Sequence, residues 1–217
     1  PRLWQGLVDV VEHNEKGHLA YLLGDKSKTG WWYYFPVAVA LKTSPALLIL
    51  VIAGFFVLWK NYPHRWDGPL FLLAVPIAVM MAVAMASNIN IGIRHILPVY
   101  PFLALLAAAA FSDIGKIDFK NRKLAVAAAL LLVHTADSLY SHPDYLAYFT
   151  PPVRGDEHLY LLDSNLAWGQ DLARLGEFYQ EQNLPAMLLT YEGDDHAAKF
   201  GINNSILPPD HPQCCWV

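Results

Sequence analysis

The sequence predicts an α-helical membrane protein of about four transmembrane helices with a small C-terminal α/β domain outside the bilayer. Three observations carry that expectation. Hydrophobic residues make up 55% of the 217-residue chain against 16% charged, more apolar than a water-soluble fold of this size needs. Four apolar runs, 45–59, 69–86, 95–111 and 124–140, alternate with short polar loops, and each is near the roughly 17 to 25 residues with which a helix crosses a bilayer. The acidic charge is concentrated at the end: from Asp137 onward twelve acidic residues face three basic ones, a formal charge near −9 against −4 for the whole chain.

The opening forty residues are polar with aromatic clusters, of which Gly30-Trp31-Trp32-Tyr33-Tyr34-Phe35-Pro36 is the densest. Trp and Tyr favour the headgroup layer, where the ring is buried and its polar handle stays wet. Residues 31–41 therefore read as an interfacial helix or re-entrant segment feeding the first span, with Pro45 at that span's first turn. Lys42 and Lys60 extend the first run by snorkelling. Residues 71–86 carry no polar stripe of the kind that marks a helix of a soluble bundle.

The basic residues set the orientation. Arg65 beside Lys60, and Lys116, Lys120, Arg122 and Lys123 in the later loop, put both of those loops in the cytoplasm. Residues 1–44, the loop 87–94 and the tail then lie outside, which divides the chain into an external aromatic segment (1–44), a four-helix membrane region (45–140) and an external α/β domain (141–217). A tail so acidic excludes nucleic acid as a partner. The chain starts on Pro1 without an initiator Met or targeting segment and reads as the middle of a longer protein.

In the tail, 158–163 reads as a short buried strand, 170–182 as an amphipathic helix with Leu172, Leu175, Phe178 and Tyr179 on one stripe, and 186–191 as a second strand. Pro151, Pro152 and Gly155 form the linker, and Gly193 ends the second strand. Strand, helix, strand is the pattern of a small parallel lobe.

Chemistry is concentrated in two places. Asn88-Ile89-Asn90-Ile91-Gly92-Ile93-Arg94-His95 puts a guanidinium and an imidazole where a membrane helix begins; unpaired N–H groups, helix dipole and guanidinium fork together suit a lipid phosphate. The plainer reading is an arginine anchored among ordinary headgroups, with Asn88 and Asn90 as turn residues. Lys42 lies at the same face, as a second cation for a phosphate or as a snorkelling anchor. In the tail, Asp163-Ser164-Asn165-Leu166-Ala167-Trp168-Gly169-Gln170-Asp171 joins a strand end to a helix start, which is where open α/β sheets hold ligands. Asp163, Asn165, Gln170 and Asp171 take hydroxyl hydrogen bonds and Trp168 offers an apolar face, a set suited to sugar; local capping is the alternative and the better match to spacing. His134 and Asp137, near the outer end of the last span, are functional or paired with one another. Asp194, Asp195 and His196 read as a solvated turn, and the adjacent Cys214 and Cys215 fit neither a bridge nor a metal motif. No metal and no cofactor is expected.

The wording of several blocks goes further. Gly17-His18-Leu19-Ala20-Tyr21-Leu22-Leu23-Gly24, the Gly30 to Pro36 cluster running into Leu41-Lys42-Thr43, Asn90-Ile91-Gly92-Ile93-Arg94-His95-Ile96-Leu97-Pro98-Val99-Tyr100-Pro101, Pro143-Asp144-Tyr145-Leu146-Ala147-Tyr148-Phe149 and the Asp163 to Leu172 block resemble bacterial GT-C membrane glycosyltransferases, relatives of protein O-mannosyltransferases and lipid A aminoarabinose transferases. The resemblance implies a protein of the bacterial inner membrane that transfers sugar from a polyprenyl-phosphate donor to a lipid, glycan or protein acceptor at the external face. It implies the donor phosphate near Lys42, Asn90, Arg94 and His95. An inverting transfer needs a base on the acceptor hydroxyl and cations on the departing phosphate. The family's base is attributed to an acidic residue in an early external loop, so on this reading the chain carries no assignable base and is inactive by itself. Ala167 stands where the family has Asp, and Thr150 where it has Asn. The competing expectations are a non-catalytic membrane module with an external glycan- or protein-binding domain and, less well supported, half of a transporter.

Overall fold

The computed structural model describes residues 2–62, 66, 68–112, 122–185, 187–189 and 197–206. The chain forms two compact units, Pro1–Asn165 and Leu166–Val217. The boundary therefore falls inside the expected external domain 141–217, whose first part is built into the helical unit.

The first unit opens with a helix that the sequence reading left unassigned, α1 (Arg2–Lys16). Its apolar residues recur at helical spacing, with Trp4, Val8 and Val11 exposed, and Asn14 ties its end down: Ser87 Oγ donates to Asn14 Oδ1 at 2.8 Å and Asn88 N at 3.0 Å. A hairpin follows, β1 (Ala20–Leu22) paired antiparallel with β2 (Asp25–Ser27). Its two turn residues, Leu23 and Gly24, both have positive φ, as a type I′ turn requires. Leu22 bridges Leu161, and Leu23 N donates to Tyr160 O at 2.9 Å.

This bridge corrects the expected strand at 158–163. That segment is a 3₁₀ turn (Glu157–Leu159) followed by a lone bridge residue, with Asp163 in the left-handed region. Leu161 is fully buried; the apolar run supplies a core side chain and no ladder.

The aromatic cluster runs into α2 (Tyr34–Lys42), as anticipated for a helix here, and α3 (Pro45–Asn61) leaves it at a bend of 113° with Pro45 in its first turn. Then come α4 (Pro69–Met85), a 3₁₀ turn (Ile93–Val99) continuing into α5 (Tyr100–Ala109), and α6 (Arg122–Tyr140). Leu50 of α3, Ala107 of α5 and Ala127 of α6 form a buried cluster. The α3–α5 crossing depends on Gly54, where a Cβ would sit 1.7 Å from the Leu106 carbonyl oxygen; small residues permit such backbone approach. Among the described residues, α6 alone is long and apolar enough to cross a bilayer, the bent α2–α3 pair passes the same test as one unit, and α4 and the Ile93–Ala109 segment are apolar but shorter.

The second unit holds α7 (Leu172–Glu181), β3 (Met187–Leu189) and β4 (Asn204–Ile206). The strands pair in parallel, Met187 against Asn204 and Leu189 against Ile206. The expected helix and later strand thus appear in shortened form, but the strand's partner follows it in the chain. Leu172, Tyr179, Ala197 and Ile202 make the core. Phe178, assigned to the buried stripe from sequence, is 52% exposed, because the core side of α7 runs through Leu172, Gly176 and Tyr179.

Candidate functional site

Lys42 ends α2 and points into the first unit, with 8% of its surface exposed. Its Nζ donates to the carbonyls of Asn165 at 2.5 Å and Leu146 at 2.8 Å and lies 4.2 Å from the centre of the Phe149 ring. The aromatic face and the two carbonyls replace part of the lost water shell. Burial still pulls the ammonium down from its ordinary value to about 7, opposed by the charge of Glu157. A lysine read from sequence as a snorkelling anchor or phosphate cation is thus the centre of an internal hydrogen-bonded cluster.

Asn165 completes that cluster and is fully buried. Its Nδ2 donates to Tyr34 Oη at 2.9 Å and to Leu162 O at 3.0 Å, and its Oδ1 accepts from Ile93 N at 3.1 Å. The neighbouring Ser164 Oγ donates to Ile91 O at 2.6 Å. Burial raises the Tyr34 phenol to about 12, so it stays a hydroxyl. Asn90 is equally enclosed: its Oδ1 accepts from Trp31 N at 2.6 Å and its Nδ2 donates to Ser87 O at 3.4 Å. A Cβ on Gly30, whose φ is +66°, would meet the Asn90 amide at 2.0 Å. Lys42, Asn90 and Asn165, all candidates for ligand contact, therefore have their polar groups engaged by the protein itself.

Arg94 and His95 remain at the surface, half-buried and exposed respectively, in the first turn of the Ile93–Val99 segment. Asp163, half-buried, lies close enough that its charge and that of Arg94 both act on the His95 ring. His95 also edges a groove of about 340 Å³ lined by Phe35, Val79, Met80, Val83, Ala84, Ser87 and Pro98. Phe35 packs on the imidazole with ring centres 6.4 Å apart. His95, neighbour of Arg94, thus stands at the edge of an apolar groove.

Trp168, Gln170 and Asp171 belong to the second unit, whereas Asp163 and Asn165 belong to the first. Trp168 is 57% exposed. Gln170 folds back, accepting from Trp168 N at 2.5 Å and donating to Leu166 O at 3.2 Å and Asp171 Oδ2 at 3.3 Å. Asp171 stands at the N-terminal boundary of α7 without a side-chain cap hydrogen bond and pairs with Arg174 at 3.5 Å.

Asp137 pairs with Tyr148, whose Oη donates to Oδ2 at 2.5 Å, and with Arg154, and not with His134. Burial and the adjacent carboxylate raise the Tyr148 phenol. Sequence reasoning missed Arg154, Tyr34 and Ser164 as parts of these clusters; the only signal for Tyr34 and Ser164 was their place inside the blocks that carry the resemblance, and Arg154 lies outside those blocks. No group of three His, Cys, Asp or Glu able to hold a metal occurs among the described residues. Arg65, Lys116, Lys120, Tyr191, Gly193, Asp194, Asp195, His196, Cys214 and Cys215 lie outside them. Comparison with family models, with curated proteins and with solved structures returns no match.

Proposed function

We propose that this chain belongs to a membrane glycosyltransferase of the GT-C kind, which takes a sugar from a polyprenyl-phosphate donor and passes it to an acceptor at the external face of a bacterial plasma membrane. The observation that carries the reading is the apolar groove with His95 at its edge, next in the chain to Arg94. A polyprenyl phosphate needs hydrocarbon contact along its tail and positive charge at its head, and the Arg94 guanidinium offers such a charge to a departing phosphate. Asp163 beside them tempers the charge and offers an acceptor for sugar hydroxyls.

Two further observations support it. The blocks that carry the family resemblance are scattered along the chain, yet the blocks 30–43, 90–101 and 143–149 meet Asn165 around Lys42 and Asn90. The helices also carry large apolar residues outward: Ile52, Phe56 and Trp59 on α3, Leu72, Val79 and Val83 on α4, and Val126, Leu132 and Leu139 on α6 are all exposed. Apolar surface on that scale needs lipid or protein cover, and lipid fits helices apolar along their whole length.

The test is binding by the chain in lipid nanodiscs, read with a medium-length polyprenyl phosphate and the matching polyprenol. The phosphate form binds more tightly, and Arg94→Ala weakens it by about 10- to 100-fold, the value of a charge-assisted hydrogen bond. Equal affinity for the alcohol and the phosphate, or an undiminished affinity in the variant, removes the phosphate site.

A further inference from the structure

Helix α1 carries its side chains outward on nearly every side: of its described residues only Asn14 is not exposed. A free-standing helix of 15 residues is marginal in water, so its apolar side chains need cover. Trp4, Val8 and Val11 stand at successive turns on one line and are 72%, 40% and 58% exposed. Gln5, Asp9, Glu12 and Lys16 form the adjoining polar line, closed by Gln5 Nε2 donating to Asp9 Oδ1 at 3.0 Å and by the Lys16–Glu12 ion pair at 2.6 Å. We propose that α1 lies flat on the external membrane surface, with Trp4, Val8 and Val11 inserted where the headgroups of zwitterionic phospholipid meet the acyl chains.

Its last turn sets its level. Ser87 Oγ and Asn88 N donate to Asn14 Oδ1 at 2.8 and 3.0 Å, and Asn88 Nδ2 donates to Asn14 O at 3.2 Å. Ser87 and Asn88 come just past the end of α4, a helix apolar along its length with Val79 and Val83 exposed. On the membrane reading proposed above, on which this inference rests, α4 leaves the hydrocarbon at that point, so the same bonds hold α1 among the headgroups. Asn14 is three residues on from Val11 and shares its flank of the helix; the apolar line therefore runs beside the end of α4. The aromatic cluster is pinned to the same loop, with Trp31 N donating to Asn90 Oδ1 at 2.6 Å, and its Trp32 is 68% exposed. Tryptophan favours the headgroup layer, so two separate stretches of chain present interfacial side chains around one loop.

Charge selects the kind of surface. α1 carries Arg2 and Lys16 against Asp9, Glu12 and Glu15, and so has no basic face with which to seek anionic lipid. Glu15, one turn beyond Val11, ends the apolar line with a carboxylate, which meets the ammonium of a zwitterionic headgroup.

The test is spin-label accessibility on the full chain in phosphatidylcholine nanodiscs. Cys214 and Cys215 are replaced by Ser, and single cysteines are introduced as Val8→Cys, Val11→Cys, Gln5→Cys, Glu12→Cys and Leu132→Cys; circular dichroism checks that each labelled chain keeps its helix content. Labels at 8 and 11 should meet a water-soluble nickel chelate roughly fivefold less than labels at 5 and 12 while staying open to oxygen, which partitions into lipid. Added phosphatidylglycerol should change neither. Leu132 of α6, 70% exposed, is the reference. If its label is protected while 8 and 11 are as open to the chelate as 5 and 12, this inference is overturned and the membrane reading stands. Chelate access at 132 overturns both. Protection of 8 and 11 from chelate and oxygen alike means that protein covers them, and protection that requires anionic lipid means recognition by charge; either result also overturns it.

Discussion

Lys42 Nζ lies 2.5 Å from the backbone carbonyl oxygen of Asn165, and the Asn165 side chain in turn accepts the N–H of Ile93 at 3.1 Å. One short path of hydrogen bonds therefore joins the end of α2, the 3₁₀ turn that carries Arg94 and His95, and the segment that carries Asp163. None of these is adjacent in the chain. The turn that carries Arg94 and His95 is positioned by groups whose polar atoms are engaged within the protein.

Removing the ammonium should accordingly act on stability before it acts on binding. Lys42→Met leaves two buried carbonyls without their donor, and an unsatisfied buried polar group costs about 1 to 3 kcal/mol. The expected outcome is a loss of about 2 to 4 kcal/mol, seen as a lower thermal midpoint in detergent. An unchanged midpoint with weakened polyprenyl-phosphate binding would instead make Lys42 a ligand cation.

The same burial makes stability depend on pH with a definite sign. The Lys42 amine has an ordinary pKa of 10.5 and one of about 7 in the fold. Between those values the unfolded chain binds more protons than the folded one, so stability rises with pH, by at most about 1.4 kcal/mol per unit from this group. Below pH 7 both states are protonated and the dependence is flat. The neutral amine still has two N–H donors for its two carbonyls, so the cluster survives deprotonation. Thermal midpoints of the native chain measured from pH 6 to 10 should climb above 7, and the difference between native chain and Lys42→Met should carry that climb.

Asn90 and Gly30 form the other internal pin. Asn90→Ala strips the Trp31 N–H of its acceptor and should cost about 1 to 3 kcal/mol. Gly30→Ala should cost at least as much, since it combines a left-handed backbone with a Cβ 2.0 Å from the Asn90 amide oxygen. Hydrogen exchange at the Trp31 amide is the direct readout, accelerated in both variants and unchanged if Asn90 serves only a ligand.

The apolar runs, the start of α3 at Pro45 and the helix of the tail were legible because each is written locally, in hydropathy, in proline placement and in helical period. α1 was not, since its polar residues hid an apolar spacing that carries no strong cap. The strand expected at 158–163 failed for a different reason: Leu159-Tyr160-Leu161-Leu162 has the composition of a buried strand, but only a hairpin far upstream could say that Leu161 would be a lone bridge. For the site, sequence picked out Lys42, Asn90 and Asn165 for ligand contact, and the structure engages their polar groups within the protein. Whether a polar residue faces inward or outward depends on partners far away in the chain, and no local pattern encodes that.

The groove offers a separation of tail from head that mutation of Arg94 alone cannot give. Val79 and Val83 lie one turn apart on α4, line the channel and are exposed at their outer edges, so a larger side chain is accommodated without disturbing the core. Val83→Trp should fill the channel beside His95 while leaving Arg94 and His95 in place. Displacing even two buried methylene groups of a tail costs about 1.6 kcal/mol, so affinity for a long polyprenyl phosphate should fall roughly tenfold or more. Affinity for a short-chain prenyl phosphate, held mainly by its head, should change much less. If both fall together, the channel and the cationic edge are one steric unit; if neither falls, the hydrocarbon lies elsewhere on the helices and the groove is not its path.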